Sequence, residues 1–341
     1  MLTVDAIQLE QLIDHSLETD DPLMIWGPTG VGKTRIPKQL AAKRGYVYIN
    51  FLMLLRDSVD FRGAPYPQDG MTTWLMPDDL PFIGSKKWDP DQKYIIHFDE
   101  INTAPQSVMN VGLQLVLERH AGPHHLLPSV RILASGNRQG EGAVQKMSVP
   151  LEARFRHALL LPEINAWARH ANATGVDPLL IAFLRFRPEL LHVISKNDPH
   201  HCSPRTWEEK VAKCLNLSAP FRQIAVASCV GEGPAADCEG FLQLYRLLPP
   251  IKEIIANPTT AKTPDEVSRD MKERLGLRFA IAVALARAAT RANFENCLTY
   301  AGRLPREQAI VMVVDAVKRD PELMNTKAFV TWAKANQDVT L

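Results

Sequence analysis

The sequence predicts an α/β protein, a parallel sheet with helices on both faces, followed by a region that is almost entirely helical. Three observations predict it. Apolar, β-rich runs alternate with helical segments from residue 22 to residue 161. A Gly-rich loop, Gly27-Pro28-Thr29-Gly30-Val31-Gly32-Lys33-Thr34, separates the first of those runs from a helix. After Pro162 the β-rich runs stop and helical spacing takes over. Strands alternating with helices need crossover connections, which bury a parallel sheet on both faces.

The elements follow in order. Residues 5–18 place Ile7, Leu9, Leu12, Ile13 and Leu17 near helical spacing, and Met1–Asp5 is expected to lead straight into this helix with no targeting signal. Pro22-Leu23-Met24-Ile25-Trp26 is a short buried strand ending at Gly27. The loop that follows fits G-x-x-x-x-G-K-[ST]. Its glycines let the backbone wrap phosphate oxygens and present N–H groups to them. Lys33 is positioned to reach the β- and γ-phosphates of a nucleotide, and the Thr34 hydroxyl to ligate Mg²⁺. The pattern is weak alone and gains its weight from the strand before it and the helix after it. Pro37 removes one N–H from that helix, at low cost near its first turn. Further strands are expected at Tyr46–Phe51, Lys93–Phe98, Val130–Ser135 and His157–Leu161, with a helix at Gln106–Arg119.

Residues 62–92 interrupt this rhythm. They are rich in Pro, Gly and Asp, too long for a structureless loop, and are expected to form an insertion with structure of its own. Met71, Trp74, Leu75 and Met76 lie close together on it. Either they contact a substrate or partner, or they fold back as a local core. Residues 121–129 read as a turn or hairpin. Beyond Pro162, helices are expected at Ile164–Ala173, Pro178–Arg185, Pro204–Leu217, Cys238–Leu248, Lys252–Ala256, Ser268–Ala292, Arg306–Arg319 and Thr326–Asn336. Gly231-Glu232-Gly233-Pro234 and Asn257–Pro264 are the clearest breaks.

At 341 residues the chain is too long for one ordinary core. Its 39 basic and 38 acidic residues leave a formal charge of +1, so charge gives no reason to expect nucleic acid or membrane. No basic run with interleaved aromatics is present. The five cysteines, 202, 214, 229, 238 and 297, form no C-x-x-C pair and read as free thiols of a reducing cytoplasm. The longest apolar run, Phe279–Ala286, falls well short of the ~20 residues that span a bilayer.

The chemistry concentrates at strand ends. Asp99 and Glu100 close the Lys93–Phe98 strand. An acid there holds Mg²⁺ in P-loop ATPases, and a second acid can deprotonate an attacking water. Asn137 follows the next strand, at the edge where open α/β sheets bind ligands. Arg154 and Arg156 flank Phe155 before the last strand, and Arg205 opens a later helix in Ser203-Pro204-Arg205-Thr206. An arginine that reaches a phosphate can neutralise charge that develops in transfer.

In this order, over residues 1–215, these elements resemble the AAA+ ATPases. Phe98-Asp99-Glu100-Ile101-Asn102-Thr103-Ala104-Pro105, followed by Leu115-Val116-Leu117-Glu118-Arg119, is similar to the MoxR-type branch. Thr103 departs from it where many relatives have Arg, and Gln114 where many have a small or apolar residue. The resemblance implies ATP and Mg²⁺ as ligands and a homo-oligomeric ring, commonly a hexamer, with ATP between subunits. Lys33, Thr34, Asp99 and Glu100 would act in cis, with Gly27–Thr34 around the nucleotide, Mg²⁺ on Thr34 and Asp99, Asn137 as the strand-end amide that positions the lytic water and Arg205 as sensor 2. Arg154 would be the finger acting on the neighbour's ATP, with Arg156 as the competing candidate. Residues 1–162 would be the nucleotide-binding domain, with 62–92 the helix-2 insert and 119–130 the pre-sensor-1 hairpin. Residues 163–215 would be a helical lid and 216–341 a further helical region outside the specific match. MoxR-type proteins remodel or activate other proteins, often with a von Willebrand factor A domain adaptor, and CbbQ relatives reactivate Rubisco. The alternative from the nucleic-acid class is a McrB-like or helicase-loader-like motor.

Overall fold

A computed structural model describes residues 1–138, 144–195, 198–337 and 339. The chain divides into two compact units, Met1–Glu163 and Ile164–Leu341.

The first unit contains β1 (Leu2–Val4), α1 (Ala6–Thr19), β2 (Leu23–Trp26), α2 (Arg35–Lys43) and β3 (Val47–Leu52). A short helix α3 (Val59–Arg62), the strands β4 (Ala64–Gln68) and β5 (Met71–Leu75), then β6 (Tyr94–Asp99) and α4 (Gln106–Glu118) follow. It closes with β7 (His120–Ala121), β8 (His124–His125), β9 (Val130–Gly136), α5 (Val149–Glu152) and β10 (Arg156–Leu160). Six strands form one parallel sheet in the order β1-β10-β2-β9-β6-β3. The expected α/β class is therefore what the chain adopts, with one strand more than expected. Leu2–Val4, read as a lead-in to the first helix, pairs with β10 as an edge strand. Three residues are too few to display a period.

Side chains alternate across this sheet. Tyr94, Ile96 and Phe98 of β6, with Val130, Ile132 and Ala134 of β9, join the core under α4. Ile95 and Leu133 join the core formed by α1 and α2. Both faces are buried, as crossover connections require. The capping box between Asp5 and Gln8 fixes the start of α1. Pro37 is the third residue of α2, where its missing N–H belongs to the unpaired first turn in any case.

The insertion at 62–92 has two parts. Its first half is a two-stranded hairpin, β4 paired with β5, turning at Asp69-Gly70 with both φ positive at 52° and 79°. Two positive φ angles in a two-residue loop are what a type I′ turn needs. Pro65 and Pro67 are tolerated because each strand of an isolated ribbon has an unpaired side. Met71 and Leu75 are exposed on this hairpin at 72% and 55%, and Trp74 is more covered. The second half folds back: Leu80 and Phe82 are fully buried, and Phe82 bridges to Leu126 beside the small β7–β8 hairpin.

The second unit is helical: α6 (Ile164–Thr174), α7 (Pro178–Phe186), α8 (Pro204–Thr206), α9 (Ala212–Cys214), α10 (Ala219–Val230), α11 (Glu232–Tyr245), α12 (Ile251–Ala256), α13 (Pro264–Val267), α14 (Met271–Ala288), α15 (Phe294–Ala301), α16 (Arg306–Arg319) and α17 (Lys327–Ala335). Residues expected as a lid and residues beyond 216 share one core here: Phe183 and Trp207 pack with Phe241, Ala280 and Val283. Gly231 ends α10 as expected, but Glu232, Gly233 and Pro234 form the first turn of α11 rather than a loop, since Pro costs nothing there. The described residues contain no helix long and apolar enough to cross a membrane, and all five cysteines are free thiols.

Two buried ion pairs tie this unit together. Arg185 of α7 grips Asp315 of α16 through two hydrogen bonds of 2.6 and 3.0 Å. Arg222 of α10 grips Glu239 of α11 at 2.8 and 2.7 Å and also donates to the carbonyls of Leu215 and Leu217. Arg222→Ala is expected to lower unfolding free energy by about 3–5 kcal/mol, because Glu239 is left as an unpaired buried carboxylate. Urea denaturation checks it. The double variant with Glu239→Ala should recover part of the loss, and equal losses in both variants would count against the pairing as the cause.

Candidate nucleotide-binding site

The carboxyl ends of β2, β6 and β9 lie side by side, because β9 pairs with both other strands. Everything that follows these strands therefore meets at one edge of the sheet.

After β2 comes the loop Gly27–Thr34, which runs directly into α2. Gly32 has a φ of 109°, in the region that favours glycine. The loop is closed around Lys33, whose buried Nζ donates to the carbonyls of Gly27 at 2.6 Å and Pro28 at 3.0 Å. The same ammonium donates to Oδ1 of Asn137 at 2.8 Å. The start of α2 follows directly on this loop, and backbone N–H groups at a helix N-terminus favour an anion.

After β6 come Asp99 and Glu100. Thr34 Oγ1 donates to Asp99 Oδ2 at 2.8 Å, and Ser135 Oγ donates to Asp99 Oδ1. Burial works to raise the pKa of Asp99. Its neighbour His97, the two hydroxyls and the Lys33 charge outweigh burial and hold it below the usual carboxylate range. A hydroxyl and an ionised carboxylate in contact are hard oxygen donors, the set that suits Mg²⁺. The sequence placed Asp99 here. It gave no sign of Ser135, which reaches Asp99 only because β6 and β9 are neighbours.

Beneath Asp99 lies His97, fully buried, with Nδ1 2.5 Å from the Tyr48 hydroxyl. That hydroxyl donates to the Thr34 carbonyl at 3.3 Å, which leaves the Nδ1–H of His97 to donate to the tyrosine oxygen. Burial pushes the imidazole down to about 4, Asp99 pulling against this and Lys33 adding to it. A neutral imidazole thus supports the loop at neutral pH. Sequence reasoning passed over both residues, since a single His or Tyr within a strand carries no motif.

Glu100 sits in the left-handed region at φ 53°, unusual for a residue with a side chain. Its carbonyl accepts from the backbone N–H and hydroxyl of Thr103 at 3.0 and 2.8 Å. Thr103, which departs from the MoxR-type pattern, here helps to hold a conformation that costs about 1–2 kcal/mol. Glu100 thus directly follows β6, at the same edge of the sheet as the loop after β2.

After β9 comes Asn137, buried, with its side chain on Lys33. Its backbone is held by Asn102, whose Nδ2 donates to the Asn137 carbonyl at 2.7 Å and whose Oδ1 accepts the Asn137 N–H at 3.1 Å.

The arginines are elsewhere. Arg156 pairs in register with Leu23 at the amino edge of the sheet and forms an ion pair with Asp21 at 2.5 Å. Arg154 lies just before it, exposed and with no ion pair among the described residues. β2 spans four residues, about 13 Å at 3.3 Å per residue, so both arginines stand a strand's length from their own P-loop. Arg205 is exposed in α8 of the second unit, whose N-terminus is capped by Ser203.

No family model matches the chain, and no curated protein matches it. Among solved structures, NtrX from Brucella abortus in complex with ADP is 15% identical, covering 97% of this chain and 67% of that one with a TM-score of 0.35. A mutant of Thermotoga maritima RuvB is 13% identical, covering 77% and 85%, with a TM-score of 0.40. The Thermotoga maritima RuvB Holliday junction branch migration motor is 13% identical, covering 73% and 74%, with a TM-score of 0.38. Likenesses this low carry no weight beside the strand order and the residues at the strand ends.

Proposed function

We propose that the chain is a MoxR-type AAA+ ATPase that works as a homo-oligomeric ring, a hexamer, and uses ATP hydrolysis to remodel or activate a partner protein in the cytoplasm. One observation carries the ATPase reading. Lys33, Thr34, Asp99, Glu100 and Asn137 come from three separate strand ends and converge on one edge of the sheet.

In this reading Gly27–Thr34 cradles the phosphates and Lys33 moves its charge from loop carbonyls to phosphate oxygens. Thr34 and Asp99 would hold Mg²⁺, which would supply positive charge against the phosphates. Glu100 takes the proton of the attacking water, and Asn137 orients that water against the γ-phosphate. Arg154 serves a nucleotide on another copy, and Arg205 takes the part of sensor 2. The exposed apolar hairpin β4–β5 is the surface proposed to meet the protein substrate, with a von Willebrand factor A domain protein as adaptor.

The second reading is a nucleic-acid motor of McrB-like or helicase-loader-like kind. The balanced charge argues against it. Basal ATP hydrolysis is expected to be unchanged by single-stranded or duplex DNA at moderate salt. A several-fold stimulation would favour the motor and remove the protein-remodelling reading.

A further inference from the structure

We propose that Asn102 is a positioning residue that sets the Asn137 carboxamide against Lys33; the catalytic consequence rests on the ATPase reading above. Asn137 lies one residue past the end of β9, where sheet pairing no longer fixes its backbone. Asn102 replaces the missing partner strand. Its carboxamide takes both backbone groups of Asn137, donating to the carbonyl at 2.7 Å and accepting the N–H at 3.1 Å. A side-chain amide matched to a peptide in this way fixes the direction of the peptide, and with it the direction of the side chain.

Two further observations show a site built around this contact. Asn102 is buried at 3% exposure, where an unpaired amide is costly. Gly136 leaves room for it: a Cβ at that position would stand 2.5 Å from Asn102 Oδ1 and 2.7 Å from the Met24 methyl. The Asn102 carbonyl in turn accepts the Gln145 N–H at 2.7 Å, so the turn after Asp99-Glu100 and the segment after β9 are held by one residue. Asn102 touches neither Lys33 nor Thr34 in any described contact. It acts through Asn137.

The test combines amide exchange, nucleotide affinity and turnover in the full chain. In Asn102→Ala the backbone amide of Asn137 should exchange at least tenfold faster, without nucleotide. Affinity for ATP should stay within about threefold, while kcat falls by roughly 10- to 100-fold, the scale of a small misplacement. Combining it with Asn137→Ala should cost no more than Asn137→Ala alone, since a residue acting through another adds nothing once that other is gone. Asn102→Ser keeps a neutral hydroxyl that can reach at most one of the two backbone groups of Asn137, so it should give a smaller rise in exchange and a smaller fall in kcat. It also serves if the alanine variant folds poorly. Unchanged exchange at Asn137, or fully additive losses in the double variant, would overturn the proposal. A wild-type chain that hydrolyses no ATP would remove the ATPase reading, and the exchange measurement would still decide the clamp.

Discussion

Glu100→Gln is expected to bind ATP as tightly as the wild type and to turn it over roughly 10²- to 10⁴-fold more slowly, the range of a lost general base. Gln has the shape of Glu and fits the same left-handed position, whose backbone is held by Thr103 and by its own link to Asp99. What it lacks is a carboxylate to accept the proton. The comparison that gives this result meaning is Lys33→Ala. That change removes the ammonium around which Gly27, Pro28 and Asn137 are arranged, and should abolish binding rather than slow turnover. Calorimetric titration with ATP and Mg²⁺, followed by a phosphate-release assay, separates the two. Equal ATP affinity in Lys33→Ala and wild type would sink the P-loop assignment. Undiminished turnover in Glu100→Gln would leave Asp99 or a solvent base to do the work.

The sequence carried the parts of this site that lie along one strand-loop-helix unit. Gly27–Thr34 is contiguous, and Asp99-Glu100 terminates an apolar run, so both are visible in one dimension. Asn137 was legible for the same reason, as a polar residue one step past a strand. What escaped depends on which strands are neighbours. Ser135 on Asp99 and Asn102 on Asn137 cross between the ends of β6 and β9, and Tyr48 reaches from within β3 to His97 of β6 and to Thr34. None of those residue types is distinctive alone. Asn102 stood within the family-like segment, yet its contact with Asn137 follows only from β6 lying beside β9.

The insertion shows the opposite case, a local signal that the sequence holds and that the reading of 62–92 as a Pro-, Gly- and Asp-rich insertion did not use. Asp69-Gly70 between two five-residue runs is a strong hairpin sign. Pro65 and Pro67 argue against a strand by the usual rule, which holds for central strands and not for a free ribbon. The same physics explains why the apolar residues divide. Met71 and Leu75 on the ribbon stay in solvent, while Leu80 and Phe82 beyond it complete the core.

Arg154→Ala is expected to bind ATP normally and to hydrolyse it at least ~10³-fold more slowly, the scale of a lost arginine finger. The geometry makes this a prediction about a second copy of the chain. Arg154 precedes β10, at the amino edge of the sheet, whereas the P-loop follows β2 at the carboxyl edge of the same sheet. Under the proposed ring, a side chain there serves a nucleotide bound by another copy of the chain. Its competitor Arg156 is already engaged with Asp21 at 2.5 Å, so releasing it toward a phosphate would break an existing pair. Mixing Arg154→Ala with Lys33→Ala subunits supplies the decisive reading. Each is inactive alone, but a mixed ring has interfaces at which one subunit brings an intact P-loop and the next an intact Arg154. Some activity should return, with a dependence on mixing ratio that reports how many such interfaces form. If the block appears in Arg156→Ala and not in Arg154→Ala, the finger lies two residues further on. If mixing restores nothing while each variant remains assembled, the arginine acts within its own chain and the ring geometry proposed here is wrong.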